Sequence, residues 1–300
     1  NEENLIGDVE RIIYRNGKYY IRTTQGMLHG KLSVFDKTGK YLWGLNRIGN
    51  GPGEYSELKE FAITENGNIT ASSYRKIINY DSTGVFLSEN KTDFLGTEFI
   101  YTGHNHYTYF DCNAIQHGNK LLSVIDNNGT IKRKLFMVSK LEAHKSGLTI
   151  DWRSLSFFKS TLYFMYPYGD TIYAIDNKEN IKQLYFINFG DKKIPVDLFD
   201  VNDDVLSSKK KLSKLEDYMH ATAIGYADKY IYIGSYNKVF QGFITLYSKM
   251  NKHTLTAHKI IDDMFLKGNV IALKEKRLPH NMDGNDILWP LDPEYLINGY

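Results

Sequence analysis

Residues with chemical potential gather in a few places along the chain. The run Gly49–Tyr55 (GNGPGEY) places Glu54 and Tyr55 behind three glycines. Glycine-rich turns can cradle phosphate, but a P-loop ends in Gly-Lys-Ser/Thr and opens a helix. Here a carboxylate and a phenol follow, then a strand-like run, so a structured turn is the simpler reading. His104 and His106 are spaced i, i+2, which puts both imidazoles on one face of an extended backbone and could begin a zinc site. No third ligand follows at a suitable spacing, and Asn105 marks a turn. Asp200, Asn202, Asp203 and Asp204 crowd like a calcium loop but lack its glycine and distal glutamate. Acids favouring the dipole at a helix N-terminus account for them more simply. Asp151, Trp152 and Arg153 form the most site-like cluster, since a charged pair beside an indole can hold a sugar or a peptide. Trp43 and Trp289 could also stack on sugar rings, although core packing is the blander role for both. No Gly-x-Ser-x-Gly elbow supplies a serine nucleophile. The ligand-binding candidates are Glu54, Tyr55, His104, Asp151, Trp152, Arg153 and His220. Spacing assigns no catalytic residue, and no metal or cofactor is expected.

These residues must be positioned by short strands. Period-two alternation bounded by Gly, Asn and Asp runs through most of the chain. An apolar strand ending in Asp-x-x-Gly recurs at Asp36, Asp81 and Asp126, a fixed interval of 45 residues (81 − 36 and 126 − 81). Such a period filled with short strands marks a β-propeller, one four-stranded blade per repeat. Five blades can be read, beginning near Val9, Leu58, Glu98, Ser154 and Ala221. In blade four the turn has Asp176, with Asn180 expected in place of the glycine. Between blades four and five, Leu198, Val201, Val205, Ser208, Leu212, Leu215 and Met219 fall on one helical stripe, predicting a single inserted helix over about 196–219. It would serve as a surface cover or, in the sharper reading, as a lid or docking helix. Strands near Ile287–Pro290 and Tyr295–Gly299 suggest a sixth blade begun but not finished.

The bulk numbers narrow the classes. The chain has 300 residues, 42% hydrophobic and 14% aromatic, enough for a large core. With 37 basic and 35 acidic residues the net charge is +2, so no field of one sign favours nucleic acid. The lysine run at 209–211 reads as a solvated face. The lone cysteine, Cys112, excludes an intrachain disulfide and a Cys-rich zinc site. No apolar run approaches the ~20 residues that span a bilayer. Starting at Asn1 without a signal peptide, the chain reads as a mature or trimmed product.

Residues 48–86 resemble an NHL repeat. Gly51, Pro52, Gly53, Glu54, Tyr55, Gly67, Asn68, Ile69, Asp81 and Gly84 match its pattern in order, while Thr70, Ala71, Ser72 and Ser73 replace its usual Val-Ala-Asp. The whole chain resembles six-bladed propeller proteins, often lipoproteins of unknown function, of gut Gram-negative anaerobes. Asn-Gly-Lys-Tyr-Tyr at 16–20 and Pro-Tyr-Gly-Asp-Thr-Ile-Tyr at 167–173 carry that likeness beside the Gly-Pro-Gly-Glu-Tyr loop. The resemblance implies export to the periplasm or cell surface, a lipid anchor upstream of Asn1, and a binding or scaffolding role.

The expectation is therefore an all-β fold: one six-bladed propeller over 1–300, its blades four-stranded and antiparallel, its sixth blade incomplete, with one inserted helix. It would bind a protein or glycan on one face as a monomer, without nucleic acid and with membrane contact only through the anchor. The rival is a hydrolase or lyase acting on a glycan or peptide from a central-channel pocket, with Glu54, His104, Asp151, Arg153 and His220 as contributors. A third reading is a structural part of an envelope assembly.

Overall fold

The computed structural model describes residues 8–24, 30–92, 96–111, 114–115, 118–146, 153–166, 168–195, 197–239, 241–262, 269–272, 281–283 and 286–288. The chain divides into two compact units, Asn1–Val138 and Ser139–Tyr300.

The first unit holds three blades. Blade one comprises β1 (Asp8–Arg15), β2 (Lys18–Thr24), β3 (Gly30–Asp36) and β4 (Tyr41–Leu45). Blade two comprises β5 (Glu60–Ile63), β6 (Ile69–Ser73), β7 (Lys76–Tyr80) and β8 (Phe86–Lys91). Blade three comprises β9 (Gly96–Gly103), β10 (His106–Asp111), β11 (Lys120–Asp126) and β12 (Ile131–Met137). The second unit opens with α1 (Lys140–Ser146), a helix absent from the sequence expectation. Blade four follows as β13 (Leu155–Phe158), β14 (Thr161–Phe164), β15 (Thr171–Ile175) and β16 (Ile181–Phe186). After α2 (Val205–Ser213), blade five comprises β17 (Met219–Tyr226), β18 (Tyr230–Asn237), β19 (Gly242–Ser248) and β20 (Thr254–Ala257). Every blade is an up-and-down antiparallel sheet in chain order, the repeating unit of a β-propeller.

Among the described residues there are five such blades, not six. Beyond Ala257 the chain pairs locally. β21 (Lys259–Asp262) closes on β22 (Asn269–Ala272), and β23 (Asn281–Asp283) on β24 (Asp286–Leu288), each a separate two-stranded hairpin. The strand expected at Tyr295–Gly299 lies outside the described residues.

Alternation builds the core from both faces of each sheet. On β5, Phe61 packs with blade one residues such as Tyr20, Leu32 and Val34, while its neighbour Ala62 packs with Phe99, Tyr107 and Ile125 of blade three. On β7, Ile78 and Ile77 divide in the same way. β6 is buried along its whole length, whereas the fourth strands β8, β16 and β20 are largely open. In the second unit, Met165 and Ile172 of blade four pack on Ala221, Ile224, Ile231 and Ile233 of blade five.

The repeated turn joins strand three to strand four and also cements blade to blade. In blade two, Asp81 Oδ1 accepts from the backbone N–H of Thr83 (2.8 Å) and Val85 (2.9 Å). In blade three, Asp126 Oδ1 accepts from Asn128 (2.9 Å) and Thr130 (3.0 Å). Gly84 and Gly129 take the left-handed backbone the turn needs, with φ 85° and 77°. A Cβ on Gly84 would stand 2.8 Å from the Trp43 ring of blade one, and one on Gly129 3.0 Å from Thr92 of blade two. Each turn thus docks on the preceding blade, where only glycine fits. In blade four the left-handed position is Glu179 (φ 65°), not Asn180. Asn180 instead donates to both Asp176 oxygens, at 2.9 Å each.

The inserted helix is shorter than its apolar stripe. The acids ahead of it satisfy backbone groups in non-helical turns, with Asn202 N–H donating to Asp200 (2.8 Å) and Asp200 N–H to Asp203 (2.6 Å). Asp204 then caps α2 by accepting from Ser207 N–H at 2.6 Å. Ser208 and Leu212 of the stripe are buried, Leu212 beside Ile194, Phe199 and Tyr218, while Leu198, Val201, Leu215 and Met219 are half-buried. Asp203 pairs with Lys211 at 2.7 Å, so the aspartates are spent on turns, a cap and an ion pair.

Candidate functional site

Of the residues singled out by type, Glu54 and Tyr55 hold the connection between blades one and two by hydrogen bonds and also line a cleft beside it. Tyr55 is 1% exposed, donates its hydroxyl to the Leu45 carbonyl (2.9 Å) and accepts from Arg47 N–H (3.3 Å). Burial pushes its phenol up to about 12. Glu54 turns back on its own loop, where Oε2 accepts from Gly51 N–H at 2.8 Å. Gly53 N–H donates to Glu89 (2.9 Å), and the Gly53 carbonyl accepts from the Tyr80 hydroxyl (2.8 Å). The Gly49–Tyr55 loop is therefore a locked connection between blades one and two, with no backbone N–H pair of these left for phosphate.

His104 and Asn105 form the tip of the β9–β10 hairpin, both with left-handed backbone (φ 52° and 57°). That turn breaks the extended geometry that would align His104 with His106. Among the described residues no three His, Cys, Asp or Glu side chains gather as metal ligands. Trp43 is half-buried against the core between blades one and two. Asp151, Trp152 and Trp289 lie outside the described residues.

Arg153 and His220 both lie at the junction of blades four and five. Arg153 bridges Ala223 of β17 in parallel, its N–H donating to Thr222 (2.9 Å) and its carbonyl accepting from Ile224 N–H (2.9 Å). His220 lies within β17, not in a connecting loop. Its ring stands 5.5 Å from Tyr168, 5.9 Å from Tyr218 and 6.4 Å from Tyr236, centroid to centroid. Burial alone drives its pKa down to about 4, so the imidazole is neutral at pH 7. Beside this aromatic group, Lys145 of α1 sits buried with its ammonium 5.5 Å from the Phe199 ring, and burial lowers its pKa. Tyr166 donates to Glu142 of α1 at 2.7 Å.

The accessible polar chemistry collects elsewhere, in the first unit. At the junction of blades two and three a cleft of about 600 Å³ is lined by Arg75, Lys91, Thr92, Gly129, Thr130 and Ile131. Beside it a second cleft of about 330 Å³ runs between the Gly49–Ser56 connection and blade two, past Tyr74, Lys76 and Glu89, and shares Lys91. Both volumes fall in the range of small-ligand sites. Their frame is fixed. Thr92 N–H donates to the Arg75 carbonyl (3.0 Å), and Thr92 Oγ1 donates to the Gly129 carbonyl (3.0 Å). Lys76 pairs with Glu89 at 2.8 Å, and that bond holds the Glu89 carboxyl below the usual carboxylate range. Among the described residues Arg75 and Lys91 have no carboxylate partner. Tyr74, 61% exposed, has Lys59 and Arg75 beside its ring at 5.6 and 5.9 Å.

Reading the sequence by residue type misses Arg75 and Lys91, since neither belongs to a motif. One signal was present. The β6–β7 turn is Tyr74-Arg75, without the Gly or Asn that a left-handed turn position favours, and Arg75 occupies that position with φ 53°.

The profile of a family described as a domain of unknown function (DUF4934) matches residues 1–278. No curated protein sequence matches the chain. A solved structure of a predicted exported protein from Bacteroides fragilis is similar, with TM-score 0.69 and 19% identity, over 86% of this chain and 73% of that one. A member of the DUF4221 family from Bacteroides vulgatus is similar with TM-score 0.56 and 10% identity, over 84% of this chain and 82% of that one. At these identities the likeness is one of fold.

Proposed function

The chain belongs to the DUF4934 family, and from that premise we propose that it is an exported, non-catalytic propeller that binds a ligand on a rigid surface built from blade junctions. One observation carries the reading. Among the described residues Arg75 and Lys91 have no carboxylate partner, and they line clefts of ligand size on a frame held by the hydrogen bond from Thr92 to the Gly129 carbonyl. Preorganised, unpaired charge suits recognition, because little ordering is left to be done on binding. The likeness to a predicted exported protein supports export, and an anchor upstream of Asn1 would fix the propeller to an envelope membrane.

The test is binding set against turnover. Purified protein is titrated with panels of oligosaccharides and peptides, and the ligand is then recovered and weighed by mass spectrometry. The expected result is saturable one-to-one association with the ligand intact, lost when the clefts are altered. Conversion of a bound ligand to product would contradict it. Export is checked by protease accessibility on intact cells and on cells with a permeabilised outer membrane, where protection in both would contradict that part.

A further inference from the structure

We propose that the cleft at the junction of blades two and three binds an anionic oligosaccharide, with Arg75 and Lys91 holding the acid group and Tyr74 meeting the sugar ring; this rests on the binding reading above. The first support is the backbone of Arg75. It takes a left-handed conformation (φ 53°) in the two-residue turn between the paired residues Ser73 and Lys76, where glycine or asparagine would sit without strain. The second is charge. Lys76 pairs with Glu89 and Lys132 with Asp126, both at 2.8 Å, whereas among the described residues Arg75 and Lys91 have no carboxylate partner. An arginine and a lysine at one cleft suit a carboxylate or a sulfate.

The lining chooses between partners. Thr130 lines the larger cleft with its hydroxyl group, the Thr92 hydroxyl is held by the Gly129 carbonyl, and Ile131 is the one aliphatic side chain among the six lining residues. A peptide bound in a groove asks for apolar pockets at alternate positions. A hydroxylated ring bearing one acid group fits this lining better, with the open Tyr74 ring as its stacking surface. The adjoining cleft shares Lys91 and continues past Tyr74, so the ligand extends beyond one ring.

The test is calorimetric titration of the whole protein with hexagalacturonate, with a sulfated oligosaccharide, with a neutral oligosaccharide of the same length, and with polyglutamate. Both acidic sugars or one of them should bind, more weakly as salt rises, and the neutral sugar should not. Lys91→Ala and Arg75→Gly should each weaken binding at least tenfold, and Tyr74→Ala should weaken it too. Arg75→Gly should also raise the unfolding temperature, because glycine relaxes the turn, which separates lost binding from lost fold. Failure of both acidic sugars to bind, or unchanged affinity in the cleft variants, overturns the inference. Polyglutamate binding as tightly overturns the sugar assignment while leaving a binding module in place. Cleavage of hexagalacturonate overturns the binding-module reading itself.

Discussion

Half-buried His220 and the buried Arg11–Glu60 pair set measurable terms in the stability of the protein. His220 is neutral in the fold, its pKa lowered from 6.5 to about 4 by burial among tyrosines. The unfolded chain therefore takes up a proton first as pH falls, and stability rises with pH between about 4 and 6.5. By pH 5 this residue alone should remove about 2 kcal/mol relative to neutral pH. Denaturant unfolding at pH 7 and pH 5 measures the loss, and His220→Phe should flatten it; an equal slope in the variant would assign the effect elsewhere. In the first unit Arg11 of β1 meets Glu60 of β5 at 2.6 Å, with side chains 8% and 4% exposed. Arg11→Met leaves Glu60 without its guanidinium and should cost about 3–5 kcal/mol, whereas Arg11→Met with Glu60→Met should recover most of that. A double variant as unstable as the single one would show that shape, not charge, holds this junction.

Strands and turns account for what could be read from the sequence and what could not. The blades were legible because each strand alternates with period two and three of the five end in Asp-x-x-Gly. The turn chemistry held at Asp36, Asp81 and Asp126, but in blade four the expected Asn180 gave way to Glu179, since Asn180 is engaged by Asp176. The helix stripe was overread because Asp200, Asp203 and Asp204 bind backbone groups and delay the helix to Val205. A sixth blade was inferred from resemblance and two apolar runs, yet the described strands after Ala257 pair within their own hairpins. The site was legible only in part. Residue type pointed to Glu54 and Tyr55, which line the smaller cleft, and to His104, at a hairpin tip, but nothing in a one-dimensional pattern brings Arg75 beside Gly129. The docking role of the repeat glycine makes its own prediction. Gly39 has φ 84° with open space around its Cβ position, so Gly39→Ala should cost about 1 kcal/mol from backbone alone. Gly84→Ala adds a clash with Trp43 and should cost about 2 kcal/mol or more. Equal losses in thermal unfolding of the two variants would mean that the turn does not pack on the preceding blade.

At the scale of the molecule the chain repeats one sheet design and varies what the junctions present. Blades one to three join through turns docked on the preceding blade, and those rigid junctions hold the clefts of the first unit. The second unit covers its blades with α1, α2 and an aromatic cluster that buries His220 and Lys145. A frame whose surface cations have no carboxylate partner among the described residues is suited to holding a charged partner. The most direct test is hydrogen–deuterium exchange of the protein with and without an acidic oligosaccharide, followed by mass analysis of the oligosaccharide. Protection confined to residues 49–56, 73–76, 89–92 and 127–131, with the sugar recovered intact, is the predicted result. Protection elsewhere, none at all, or recovery of a cleaved sugar would contradict the account.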